Sequence, residues 1–195
     1  MKDQSMGVEA WLSLLATPEP AELIVRPRTG TESLAALEAR WIPLQQALPA
    51  SAVDYRALQA LILLWHDHWE AAHERVQESQ TPDGWLVHAF VHRREPDPWN
   101  AKYWWRRTGS HRALRTLSQR TRPWFRQSGL ESWSERLIRE GVWNPFEFVD
   151  LIGAVLAAGD PALIRHARAL QQIEFETVLL VFLGADGFRI SADSV

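Results

Sequence analysis

Cysteine is absent from the 195 residues. That excludes disulfides, cysteine-ligated zinc, iron–sulfur clusters and a thiol nucleophile. Lysine is nearly absent: of 21 basic residues only Lys2 and Lys102 are lysine, and the rest are arginine. No apolar run approaches the 18 or so residues that span a bilayer, so no membrane association is expected. Glu9 and Ser13 interrupt the only early apolar stretch, which removes a secretory leader from the reading. Glycine-rich phosphate loops, dinucleotide fingerprints and nucleophilic serine motifs are missing too. A cytoplasmic protein is the expectation.

What is present is ordinary globular material, 46% hydrophobic and 23% charged, enough for a real core. Eleven tryptophans stand out. Each brings a large contact area and one N–H donor, and most of them read as core filler. Helix signals recur along the whole chain, so the expected class is all-α: a single multi-helix domain of about eight or nine helices paired as antiparallel hairpins. Residues 1–50 read as an N-terminal helical extension packed on the core, 51–183 as the core domain and 184–195 as a tail.

Caps and prolines place the elements. Ser5 caps a short helix ending before Pro18 and Pro20, and residues 17–30 form an extended connection. Thr31 opens a helix that ends near Pro43, and Ser51 with Asp54 opens the longest one, over about 52–79. Thr81-Pro82 starts the next, to about Glu95, and Asp97-Pro98 another, ended by Gly109. Ser110 caps a helix to about 121, and a looser stretch with Pro123 and Gly129 precedes a helix near 131–140. Asn144-Pro145 and Asp160-Pro161 begin the last two, the final one reaching about 183. Only residues 23–25 hint weakly at a strand.

Two helices carry matching polar stripes. His66, Glu70 and His73 are spaced i, i+4 and i+7, an arc of about 60° beside the core face. His88, His92 and Glu95 repeat the spacing on the next helix. The turn near 79–83 is short, so an antiparallel hairpin is expected, setting His73 near His88, Glu70 near His92 and His66 near Glu95. Nitrogen and carboxylate ligands in this number suit a divalent transition metal, with His66, Glu70, His73, His88 and His92 as its candidate ligands. Glu70-Ala71-Ala72-His73 is a single Glu-x-x-His unit; di-iron bundles need two, so a mononuclear site is the better form. Two other readings stay open: a metal-free acid–base cluster in which His88, His92 and Glu95 are catalytic, and a structural network that holds two helices in register.

Residues 92–126 hold ten of the basic residues against only Glu95 and Asp97. Arg93, Arg94, Asp97, Asn100, Lys102, Tyr103 and Arg106 therefore read as a ligand-binding wall for a small anion, since guanidinium forks grip anions and rings stack on planar groups. The competing reading neutralises these arginines with the acids of 131–150. Nucleic acid is disfavoured by the net charge of −3 and by the lack of a recognition module.

The string His92-Arg93-Arg94-Glu95-x-Asp97-x-x-Asn100-Ala101-Lys102-Tyr103-Trp104-x-Arg106-Arg107-x-Gly109-x-His111 resembles the signature of a family of uncharacterised helical proteins. Trp65-His66-Asp67 with His73, and Asn144-Pro145-Phe146-x-Phe148-Val149-Asp150, are similar to that family's flanking segments, so the likeness spans about residues 60–150. It implies that His66, His73, His88, His92, Glu95, Asp97, Asn100 and Lys102 share one site, and it implies no activity. Trp85, Ala89, Ala101 and Trp105 have a weaker likeness to one tetratricopeptide hairpin, without the repetition an array needs. The best functional expectation is a small-anion-binding protein or enzyme with a His/Glu cluster beside an Arg/Trp-rich wall, metal-dependent in one form. A non-catalytic helical interaction module is the alternative, and a homodimer is compatible with either.

Overall fold

Helix starts follow the capping side chains closely. Asp54, Thr81, Asp97, His111, Asn144 and Asp160 each accept a hydrogen bond from a backbone N–H of the first turn, and four of those starts place proline just inside the helix. The structure, a computed structural model, describes residues 2–47, 53–185 and 187–188. Among these the chain is all-α, with ten helices and one two-stranded hairpin. The helices are α1 (Lys2–Leu12), α2 (Leu34–Gln46), α3 (Tyr55–Trp65), α4 (Trp69–Val76), α5 (Pro82–Arg94), α6 (Pro98–Thr108), α7 (Arg112–Ser128), α8 (Glu131–Leu137), α9 (Pro145–Ala158) and α10 (Pro161–Phe182). A 3-10 turn, Ser13–Leu15, follows α1.

Several sequence expectations need correction. The helix expected over 52–79 is two, α3 and α4, broken at His66–His68. Asp67 there takes a left-handed φ of 66°, a conformation aspartate tolerates better than most residues. Its carboxylate receives Arg28 Nε at 2.9 Å and Arg94 Nη2 at 2.8 Å. The same guanidiniums donate to the carbonyls of Trp65 and Leu64, so they satisfy the end of α3 that a continuous helix would have satisfied itself. Ser51, the expected cap, lies outside the described residues; Asp54 is the cap. Helix α2 begins after Ser33 and runs through Pro43 to Gln46, and α7 runs through Pro123 to a left-handed Gly129. Residues 138–143 form an unexpected hairpin, β1 (Ile138–Arg139) antiparallel to β2 (Val142–Trp143). Glu140 and Gly141 both have positive φ, the backbone a two-residue type I′ connection requires.

One buried apolar cluster extends from Trp11 to Phe182. Phe175 of α10 lies at its centre, 5.2 Å from Trp65 and 5.1 Å from Phe90 between ring centroids. Residues 14–23 feed Leu14, Leu15, Ala21 and Leu23 into the same cluster. Five of the eleven tryptophans are buried, five are half-buried and Trp99 is exposed. Their role is therefore wider than core filling. Among the described residues no helix is long and apolar enough to cross a membrane. Helices α4, α5 and α6 pack in succession, and that succession builds the site.

Candidate metal centre

His88 and His92 lie one turn apart on α5 and point the same way, as i and i+4 must. The short connection from α4 brings His73 against both. Ring centroids of His73 lie 4.8 Å from His88 and 5.3 Å from His92, each edge-on, while His88 and His92 stack at 4.8 Å. One ring nitrogen from each histidine falls within 4.8 Å of the other two. A tetrahedral ion at about 2.0–2.1 Å from its nitrogens needs them roughly 3.4 Å apart. Binding such an ion would draw the nitrogens together by up to about 1.4 Å.

Glu95 sets the tautomer of His92. Its Oε2 lies 2.8 Å from His92 Nδ1, and Asn100 Nδ2 lies 3.3 Å from the same nitrogen. The shorter, carboxylate-assisted contact holds the proton on Nδ1. Nε2 then keeps its lone pair for a ligand, the carboxylate–histidine arrangement common behind metal sites. Asp97 joins His92 and Glu95 in a second cluster, but its carboxylate caps α6 through Asn100 N at 3.0 Å.

His88 has the least ordinary surroundings. Trp104 of α6 stacks on it at 3.8 Å and 17°, with His92 behind. Both ring nitrogens are buried, and among the described residues neither meets a partner with hydrogen-bond geometry. Burial first, then the neighbouring His92 and His73, pushes its pKa down to about 3. The Val76 backbone acts in the opposite direction, without hydrogen-bond geometry to either nitrogen. His88 is therefore neutral near pH 7, the form that ligates metal. His73 is half-buried, stacked on Trp69 at 5.4 Å. Burial and, after it, His92 lower its pKa as well.

Other expected members are elsewhere. His66 sits at the break, not on a stripe with His73. Its Nε2 donates to Leu14 O at 2.8 Å and its Nδ1 accepts from Glu32 N at 3.0 Å, so both nitrogens are used to hold the N-terminal segment. Glu70 is exposed on α4 and outside the histidine group. The expected pairings of Glu70 with His92 and of His66 with Glu95 therefore fail, because the break turns α4 relative to α3.

The arginine wall changes most. Arg93 and Glu174 form an ion pair of 2.5 Å with both side chains 1% exposed. The guanidinium lies over Phe90 and Phe148. Burial raises the Glu174 pKa against the pull of Arg93. Arg94 is inside the α3–α4 break. Neither reaches an external anion. Lys102 pairs with Asp150 at 2.5 Å. Tyr103 and Arg106 are exposed on α6, and Arg107 lies over Trp85 and Trp104. Trp104, part of the Arg/Trp-rich stretch expected to form a wall, does line the histidine cluster, and Trp69 of α4, not expected there, lines it through His73. Set against family models, curated proteins and solved structures, the chain matches none.

Proposed function

We propose that the protein is a mononuclear metalloprotein in which His73, His88 and His92 hold a divalent transition ion of the zinc type. Three imidazoles leave a coordination position for water or a small anionic ligand, and an ion so placed acidifies its water toward neutrality. Glu95 fixes the orientation of the His92 ring. Half-buried His73 is the side on which a ligand enters. One observation carries the reading: two buried nitrogens of His88, without partners, inside a three-imidazole cluster. Buried polar atoms are nearly always satisfied, and an orphan pair calls for an ion or water.

Cobalt(II) titration of metal-free protein tests it. Expected is a one-to-one endpoint with visible d–d absorption of a four-coordinate nitrogen and oxygen site, lost in His88→Ala and competed by zinc. Titration without saturation, or an unchanged spectrum in His88→Ala, overturns it. The parallel stack of Trp104, His88 and His92 favours a second reading, in which the rings serve only to pack α5 against α6. On that reading chelators leave thermal stability untouched.

A further inference from the structure

Among the described residues, Asp150 is the one acid of 131–150 that reaches the basic segment, and it pairs with Lys102, not with an arginine. Glu147 pairs with Arg136 and Arg139. Among the described residues no carboxylate lies within 4.0 Å of Arg106, Arg107, Arg112, Arg115, Arg122 or Arg126. Four of these are on α7, all exposed. At about 100° per residue, Arg112, Arg115, Gln119, Arg122 and Arg126 fall within an arc of roughly 80° and span about 21 Å of helix. The helix contains no acidic residue. Its opposite face, Leu114, Leu117, Thr121 and Phe125, is buried in the core.

We propose that this arginine stripe is a docking surface for the phosphate backbone of nucleic acid, bound without sequence preference. The net charge of −3, which spoke against nucleic acid, is the wrong quantity. Charges beyond a Debye length of about 8 Å are screened at physiological salt, so a phosphate against α7 feels the local stripe. Guanidinium forks suit phosphate oxygens. A duplex presents one charge per about 1.7 Å of axis, so the stripe spans enough phosphates for every arginine. Two rivals fit less well. An anionic bilayer needs a free apolar face beside the charges, and the apolar face of α7 is used. A protein partner needs an apolar or aromatic centre to its interface, and the stripe offers only arginine and glutamine with Pro123 at its edge.

Fluorescence anisotropy of the full chain with a 20-base-pair DNA duplex, and with the RNA duplex of the same sequence, tests this across a salt series with chelator present. Four phosphate contacts give a slope of log K against log salt of about −3.6 for DNA. Arg115→Gln with Arg122→Gln should halve that slope, and Arg115→Lys with Arg122→Lys should retain it. The pair Arg112→Gln and Arg126→Gln should repeat the drop, with all melting temperatures unchanged. A preference between the duplexes assigns the natural ligand as DNA or RNA, and either supports the proposal. No saturable binding to either at 50 mM salt, a slope unmoved in both glutamine pairs, or equally tight binding of polyglutamate would overturn it.

Discussion

Replacing His88 by phenylalanine separates the metal reading from the packing reading in one experiment. The ring stack on Trp104, 3.8 Å between centroids, accepts a phenyl group of similar shape. The two orphaned nitrogens disappear with the imidazole. Leaving a buried polar atom unsatisfied costs about 1–3 kcal/mol; after about 1 kcal/mol for the slightly larger ring, metal-free His88→Phe should gain up to about 2 kcal/mol. At this chain length 1 kcal/mol moves Tm by about 2–4 °C, so the variant should melt up to about 8 °C above metal-free wild type. Zinc at a hundred times its Kd stabilises the wild type by about 2.7 kcal/mol, or roughly 5–11 °C. It should leave the variant unmoved. Differential scanning calorimetry with chelator and with zinc reads all four states. A wild type indifferent to zinc, or a variant that responds equally, rules out a metal held by His88. A metal-free variant that melts lower shows that the His88 nitrogens are satisfied in solution.

Acid should weaken the metal-free protein earlier than carboxylate titration alone would. His66, His73 and His88 all have folded-state pKa values lowered below 6.5, first by burial. The unfolded chain then takes up protons first, so their contribution is whole above pH 6.5 and declines as pH falls toward each folded pKa. His88 titrates near 3, so it alone removes about 1.4 kcal/mol per pH unit below 6.5. Urea denaturation between pH 7.5 and 5 checks this, and a flat profile contradicts it. Asp67→Ala strands the half-buried Arg28 and the buried Arg94 guanidiniums and should lower stability by about 3–5 kcal/mol, read as a shift of urea midpoint. Glu174→Gln should lose a similar amount, while Arg93→Met with Glu174→Leu should recover most of it, since an apolar pair replaces a fully buried ionic one. If the double variant is no better than the single, the Arg93–Glu174 pair is not separable from its surroundings.

Local chemistry was legible in the sequence and long-range satisfaction was not. The cap-plus-proline starts at Thr81, Asp97, Asn144 and Asp160 were readable because capping is settled within four residues. The spacing of His88 and His92 survived for the same reason. The break after Trp65 could not be read, because its cause is Arg28 and Arg94, 37 and 30 residues from the carbonyls they satisfy. Pro123 inside α7 looked like a stop, yet burial of Leu117, Thr121 and Phe125 outweighs one missing N–H. The arginines were read as one set because sequence records their number and not their partners. Arg93 and Arg94 are buried and paired, whereas Arg112, Arg115, Arg122 and Arg126 face solvent.

Arg94, which looked like part of a ligand wall, instead orients the helix that carries His73. An unbroken helix from Tyr55 would keep His66, Glu70 and His73 on one line, with His66 and His73 sharing a neighbour. The break assigns them separate duties: His66 ties Leu14 and Glu32, and His73 turns onto α5. Arg94, at the end of α5 itself, supplies half of that break through Leu64 and Asp67. The helix that presents His88 and His92 thus also fixes the angle of the helix that presents His73. Arg94→Met should therefore lower cobalt affinity at least tenfold while His88 and His92 stay untouched. In Arg28→Met, which leaves Arg94 on Asp67, the loss should be smaller. Equal loss in both, or none in either, would mean that the break does not set the geometry of the three imidazoles.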